Sequence, residues 1–531
     1  VTERGPVMRG ARQWMAKLAS LRGASVPDAP SLPVRDPWPG EPARGARIIK
    51  GEIEYLGVVR PLRPGGFTSG DASAPMLAHI HEFSWLRDLR ALGTDAARSR
   101  ARALIEDWID TEALPSLAAS PPVTGARLAA WLGHYDFFAA SADDDFRQML
   151  MAKLVADARL LAASLPAEVR DGRAFTAIKG LIAASVALPE HAAFLPRALR
   201  FLAPEIERQI LPDGAHVERS PAAHLAALQD LTEIRALLQV ARAEQPAQLP
   251  GAIERMAVAL RALRHGDGGL ALFNGTREDW PNLIDLVLSQ AGRTGRSTAS
   301  LAYPGFHRLA AGKSVAIVDA GPPPAAGLDR NAHAGTLSFE FSAGRERLIV
   351  NCGAAPASAT DWRDALRATA AHSTMVIADV SSAEIRPDGL GRRPVAVELQ
   401  RQEANGAHWL EASHDGWKKL FGAVHRRRLY LAESGEDLRG EDSIEADEPQ
   451  PFTLRFHLHP NVTASLQQDG EAALLRLPSG QGWRLRAGGA VLSVEESIYF
   501  GGTEPRRAEQ IVLTGQPDGP QQVKWAITKM G

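Results

Sequence analysis

The sequence predicts an α+β multidomain fold, an N-terminal incomplete (α/α) toroid followed by a C-terminal antiparallel β-sandwich, and three observations predict it. The 531 residues exceed what one hydrophobic core ordinarily serves, so the chain divides into two or three domains. Apolar residues recur at helical spacing from about Pro75 to Ala291. After Tyr303 the period changes to two, and pairs of such runs are joined by tight-turn dipeptides.

Residues 1–74, rich in Pro and Gly with short apolar pieces such as ARIIKGEIEYLG, read as an extended arm packed on the helical domain. The toroid is expected over 75–298. Phe146, Leu150, Leu154, Ala158 and Leu161 make one apolar helix face, and Leu195, Leu199, Leu202, Ile206 and Ile210 another. Similar stretches cover 85–92, 95–109, 125–139, 174–187, 221–241 and 250–264, separated by breakers such as LPSLAASPP and ILPDG. So many helices on short connections pack as antiparallel neighbours and curl into a ring or solenoid rather than a simple bundle, the toroid being the first choice. The sandwich is expected over 303–531. Leu337, Phe339 and Phe341 alternate with Ser338 and Glu340, and Phe452, Leu454, Phe456 and Leu458 alternate in the same way. Ala343-Gly344, Asn405-Gly406 and Asp469-Gly470 mark hairpins, because a tight turn needs residues that tolerate positive φ.

Composition narrows the function. Apolar residues make up 45% and charged residues 23%, enough to build a core in water. With 60 Lys and Arg against 62 Asp and Glu, the net charge of -2 gives no global pull toward nucleic acid or anionic lipid, so any polyanion site is local. The single cysteine, Cys352, excludes a disulfide framework and a Cys-rich zinc site. No run of apolar residues is long enough for a membrane span. The amino terminus is basic and weakly amphipathic without the apolar core of a signal peptide, so a cytoplasmic protein is expected, or a periplasmic one if the chain is a mature form. The esterase elbow, the phosphate-binding loop, the zinc-protease motif and Cys-x-x-Cys are all missing from the sequence.

His, Arg and Asn instead gather at segment ends. Between two helical runs, Asp213 to His224 places His216, Glu218, Arg219 and His224 within nine residues, while Ser220-Pro221 in the same stretch reads as ordinary helix entry. Asn331 and His333 stand two apart before a strand, where an extended chain points both the same way. Arg363 and Arg367 precede His372, again directly before a strand. Two His at corresponding strand starts with Arg nearby point to a shared polar site. Further on come His414 and the run His425-Arg426-Arg427-Arg428, then His457 and His459. Alternation puts Arg426 and Arg428 on the face opposite Arg427, the pattern of a solvated edge strand.

These segments carry a resemblance. The helical domain followed by NAHAGTLSFEFSAGRERLIVNCG, RATAAHSTMVIADV, SHDGW and HRRRLYL resembles the heparinase II/III family of polysaccharide lyases, and in particular its bacterial heparinase II/III-like branch. Asp36-Pro-Trp38-Pro-Gly40 and FSWLRDLRALG over 83–93 extend the likeness to nearly the whole chain. The resemblance implies that the toroid read from periodicity is an incomplete (α/α) toroid, followed by the antiparallel β-sandwich, with an active site in the cleft between them. It also implies β-elimination on a uronic-acid glycan, which needs the carboxylate neutralised, a base for the C5 proton and an acid for the leaving oxygen. Where family lyases carry a Tyr just before the His matched by His224, this chain has Ala223, and where they carry a His two before His333 it has Asn331. A structural divalent metal such as zinc, in members that hold one, would fall on His333, Asn351 and His372, with the amide Asn351 replacing the usual carboxylate.

The expectation is a carbon–oxygen lyase acting on an acidic oligo- or polysaccharide and requiring no cofactor. His216 and His372 are the proton-transfer candidates, with Arg219, Asn331 and Arg367 holding or neutralising the carboxylate. Tyr135, beside His134, is the substitute among five tyrosines for the missing Tyr. Trp85, Arg87, His134, Arg363, Arg367 and His414 are the candidate substrate-binding residues. Two rivals stand beside this reading. One is a glycan-binding protein that has lost the chemistry, and the other a glycoside hydrolase that would need a carboxylate pair, with Glu218 and Asp213 the suggestive members.

Overall fold

A computed structural model describes residues 26–63, 65–68, 72–188, 193–278, 281–292, 297–355, 359–467 and 470–531. The basic amino-terminal stretch 1–25 and the Asp469 half of the Asp469-Gly470 hairpin lie outside the described residues. The chain packs as two compact units, one made of residues up to Gln209 with Ala226–Ile253, the other of Ile210–Leu225 with Glu254–Gly531. The change of period at Tyr303 thus marks a change of secondary structure, while the packing units part within the helical region.

The first unit is helical and has the toroid architecture, and its helices lie where the 3.6 period puts them. They include Asp95–Asp110, Pro121–Gly133, Asp144–Ser164, Arg173–Ala187 and Phe194–Gln209. Thr94 and Asp143 cap two of them, their side chains accepting the amides of Ala97 and Phe146. Pro121–Gly133 and Arg173–Ala187 approach through glycine: a Cβ on Gly180 would stand 2.2 Å from the Gly125 carbonyl oxygen. Only two residues without side chains allow that crossing. Residues 26–74 are more structured than an extended arm. They hold a helix, Pro42–Ile49, and a hairpin of Glu52–Tyr55 with Val58–Pro61. No described helix is long and apolar enough to cross a membrane.

The second unit is an antiparallel sandwich preceded by helical turns. One sheet runs in the order Val397–Ala404, Ala407–Trp417, Ala423–Leu431, Asp437–Glu445, Gln522–Lys529, Gly482–Gly488, Ala472–Arg476, Thr463–Gln467. The facing sheet contains Phe452–Leu458, Glu346–Val350, Phe339–Ala343, Ser314–Asp319 and Phe306–Ala311 at its centre. Phe339, Phe341, Phe456, Trp417, Trp483 and Trp525 fill the space between them, with the rings of Phe339 and Trp525 stacked at 5.7 Å. The Asn405-Gly406 and Ala343-Gly344 turns form as expected, with Asn405, Gly406 and Gly344 all at positive φ. The two-residue period is only partly honoured around 337–341. Leu337 lies outside the strand at φ +65, and Ser338 and Glu340 are as buried as the Phe residues beside them.

Arg427 is not on a solvated edge. Its strand is third in the sheet, and its guanidinium is fully buried, pairing with Asp442 (2.7 Å) and donating to the carbonyls of Leu337 and Ser373. His425 and Trp525 donate to the same carboxylate, so one buried Asp answers three donors. Arg426 and Arg428 point outward, as the alternation requires.

Candidate functional site

Two copies of one seven-residue turn organise the site. Ile210 bridges His216 and Arg264 bridges Leu270, each turn passing through a glycine in the left-handed region, Gly214 at φ +87 and Gly268 at φ +88. In both, the Asp before that glycine accepts the amide two residues on, Asp213 from Ala215 (3.2 Å) and Asp267 from Gly269 (2.8 Å). A Cβ on Gly214 would meet the Arg255 backbone at 2.3 Å, so the first turn admits no other residue.

From the first turn the chain passes Arg219 at φ +52 and enters the Pro221–Val240 helix through Ser220, whose hydroxyl accepts the Ala223 amide (3.4 Å). From the second it reaches Asn274 and Gly275, both at positive φ. Asn274 ties the two exits together: its Nδ2 donates to the Arg219 carbonyl (2.8 Å) and its Oδ1 accepts the His333 amide (3.0 Å). The Gly275 amide then donates to His333 Nε2 (3.1 Å). That bond fixes the tautomer of His333, leaving its Nδ1–H to donate to His372 Nε2 (3.0 Å), while His372 Nδ1–H donates to the Ala368 carbonyl (2.8 Å). The result is a closed relay of two imidazoles with every ring nitrogen engaged. Burial pushes the His372 pKa down to about 4 and that of His333 well below its usual value, with the His372 ring, Arg367 and Arg363 adding to the effect on His333. Both rings are neutral at pH 7.

The expected site residues divide accordingly. His216 is buried at the end of the first turn, its Nδ1 accepting the Glu218 amide (3.4 Å) with the Glu218 carboxylate at 3.7 Å. His333 and His372 do meet, as the spacing of their strands suggested, yet His372 has no ring nitrogen left for proton transfer. Arg219 does not face a ligand, since its guanidinium is buried against Asp319, donates to the Pro304 carbonyl (2.7 Å) and lies 4.9 Å above the Phe306 ring. Arg367 is likewise committed, to the carbonyls of Ala332 (3.0 Å), Arg386 (2.8 Å) and Gly389 (2.7 Å). Arg363 is half-exposed and holds the Arg330 carbonyl (2.9 Å). Asn331 is exposed, its Cβ side against Gly275, and its segment is a turn rather than an extended strand, so it and His333 do not share a direction. His414 is buried between the rings of Trp417 and His425.

The expected metal ligands do not form a set. Asn351 uses its Oδ1 to accept the Ser373 amide (3.0 Å) and its Nδ2 to donate to Glu340 (3.2 Å), and the two imidazoles bond each other. Among the described residues no three His, Cys, Asp or Glu cluster as a metal site requires. The carboxylate in this region is Glu340, which accepts from the Asn351 amide (2.9 Å) and pairs with His265 (3.0 Å), itself bonded to Ser342 (2.9 Å).

Four candidates belong to the first unit. Trp85 is buried against Phe83 and donates to the Ile80 carbonyl (3.2 Å). Arg87 pairs with Asp36 (2.8 Å), which also lies 3.3 Å from His134. Tyr135 is buried with no hydrogen-bond partner for its hydroxyl among the described residues, and burial raises its pKa, the wrong direction for a base. Nearby, Lys179 bridges Asp230 (2.7 Å) and Glu233 (3.0 Å), and Trp38 donates to Glu233 (2.5 Å). Burial, then the neighbouring Asp230, raises the Glu82 pKa to about 7.

The sequence reading missed Asn274, Asp319, Glu340 and Asp442. Asn274-Gly275 carried a usable signal, being a tight-turn dipeptide. Glu340 carried none, because alternation between Phe339 and Phe341 marks it as solvent-facing, whereas Asp319 shares a strand face with Val315 and Ile317 and Asp442 with Leu438 and Ile444, a sign of burial that the sequence did offer.

The models of the heparinase II/III N-terminus and of the heparinase II/III-like C-terminal domain match residues 121–290 and 293–526. The chain belongs to the heparinase II/III-like family. It is 33% identical to FtsZ-localized protein C of Caulobacter vibrioides, over 98% of this chain and 94% of that one. Its fold is that of heparinase III, with a TM-score of 0.77 at 14% identity over 99% of this chain and 90% of the other. Heparan sulfate lyase HepC from Pedobacter heparinus superposes with a TM-score of 0.61 at 13% identity, over 98% and 87% of the two chains. This heparinase II/III-like chain therefore has the polysaccharide-lyase fold, and sequence identity to a full-length relative is higher on the FtsZ-localized side than among the lyases of known structure.

Proposed function

We propose that this protein uses the lyase fold to bind an acidic glycan without cleaving it. The observation that carries the reading is the closed relay Gly275–His333–His372–Ala368, which leaves neither imidazole able to accept a proton from a substrate. The guanidinia expected to neutralise a uronate, Arg219 and Arg367, are held by Asp319 and by three carbonyls of the chain itself. Ala223 and Asn331 occupy the places where the family resemblance puts a Tyr and a His. The likeness to FtsZ-localized protein C gives this binding function a setting, at the site where FtsZ is found.

The test is incubation with heparan sulfate and with hyaluronan, with zinc or with chelator, followed by ultraviolet absorbance for an unsaturated uronate and by retention on the immobilised glycan. The expected result is retention with no product. Product that accumulates with time and is lost on His216→Ala would overturn the reading and restore the lyase. Co-sedimentation with FtsZ filaments is expected, and its failure would remove the proposed setting.

A further inference from the structure

The outward face of the eight-stranded sheet holds a groove of about 820 Å³. Strand register lines up its side chains. Gln402 stands opposite Trp409, Trp409 opposite Tyr430, Tyr430 opposite Arg439, Arg439 opposite Ala526, and Ala526 opposite Arg486. At the ordinary strand spacing this row is about 24 Å long. Trp409 is exposed, with its ring 5.0 Å from that of Tyr430, and Arg439 lies 5.9 Å above Tyr430. The adjacent row neutralises itself: Arg428 reaches Glu411 (2.8 Å) and Glu441 (2.9 Å), and Lys524 approaches Glu441 (3.6 Å). At the far end the balance is broken. Neither Arg484 nor Arg486 has a carboxylate partner among the described residues, and Arg484 Nε is buried with no acceptor.

These features fit one class of ligand. Of the six strands under the row, all but the edge strand Val397–Ala404 lie inside the sheet with both sides paired, so an added peptide strand could pair only beside that edge and not on the face where the row lies. What remains is a pair of flat rings, a side-chain amide and two unpaired guanidinia. Flat rings stack against the C–H faces of sugars, an amide meets hydroxyls, and a guanidinium holds a carboxylate or sulfate in bidentate fashion. We propose that this groove binds an acidic oligosaccharide laid across the strands, with sugar rings on Trp409 and Tyr430 and an anionic group on Arg484 and Arg486. The proposal rests on the reading of the chain as a glycan binder and gives that binding a place separate from the His333–His372 relay.

Titration calorimetry of the full chain with heparan sulfate oligosaccharides and with unsulfated hyaluronan oligosaccharides tests it, the second probe separating carboxylate from sulfate recognition. Trp409→Ala and Arg486→Ala are the variants, both at exposed positions, and each is expected to weaken binding about tenfold. Rising salt should reduce the Arg486 contribution and leave that of Trp409. Wild-type binding that both variants preserve would overturn the groove and leave the glycan-binding reading intact. No wild-type binding to either glycan would overturn the reading and the groove with it. Binding of polyglutamate, abolished by the same variants, with no direct glycan binding would give the groove to an acidic peptide and overturn the proposal.

Discussion

In the helical unit, Lys179 bridges Asp230 and Glu233, and Arg87 holds Asp36, so each of these buried cations has a carboxylate beside it. In the sandwich unit, His333 and His372 are packed against each other with arginines nearby and no carboxylate in contact, and burial strips them of charge. Asp230 and Glu233 against Lys179 raise its pKa where desolvation would lower it, whereas the arginines near His333 act in the same direction as desolvation. A buried ionisable residue is therefore a proton carrier, an ion or a plain hydrogen-bonding block according to its neighbours, and residue type alone does not say which.

The comparison is broken most forcefully at Lys179. Lys179→Met leaves Asp230 and Glu233 buried without their cation, and a loss of about 3 kcal/mol in urea unfolding at pH 7.5 is expected. A variant as stable as the parent would show that the carboxylates find other partners and that the cluster is not held by charge. The relay is tested next. His372→Ala leaves the His333 Nδ1–H without an acceptor and should cost about 2 kcal/mol, while retention on acidic glycan is unchanged. A stable variant with weakened glycan binding would instead make His372 a ligand-facing residue.

The smallest effect separates the two units by pH. The His372 pKa is about 4 in the folded chain and about 6.5 when unfolded, so its unfolded form takes up protons first. Its contribution is whole above pH 6.5 and disappears as the pH falls toward 4. Glu82 runs the other way. With a folded pKa near 7 against 4.5, it is the folded form that holds the proton, so the contribution is whole below pH 4.5 and is lost as pH rises to 7. Glu82→Gln should remove that upper slope from a plot of unfolding midpoint against pH and leave the acid limb in place. Loss of the acid limb in this variant would mean that the two clusters titrate as one.

The fold was readable because periodicity is a backbone property repeated over many residues. Leu150, Leu154 and Leu161 mark a helix whichever neighbour they meet, and Ser220-Pro221 marks a helix start from local chemistry alone. The site was readable only as far as residue type goes. His333 and His372 were brought together by their strand starts, but the bonds that close the relay come from Gly275, 58 residues before His333, and from the Ala368 carbonyl. Arg219 looked like a free cation because Asp319 is 100 residues away in sequence. Arg427 looked like part of a solvated run because Asp442 lies on the next strand. Apart from the Ala368 carbonyl, four residues before His372, each of these partners is a tertiary contact, and spacing along one segment holds no trace of it.

The paired turns at 210–216 and 264–270 have one more consequence. Each bend is made by a left-handed glycine and the Asp side chain before it, so the bend itself makes no demand on the side chains at its other positions. The first elbow delivers an imidazole at its last residue, His216, beside Glu218, and the second delivers one at its second residue, His265, against Glu340 and Ser342. Two joints cut to the same pattern thus seat the same side chain in two different sockets, and the chemistry at each can be rewritten without moving the helices it connects.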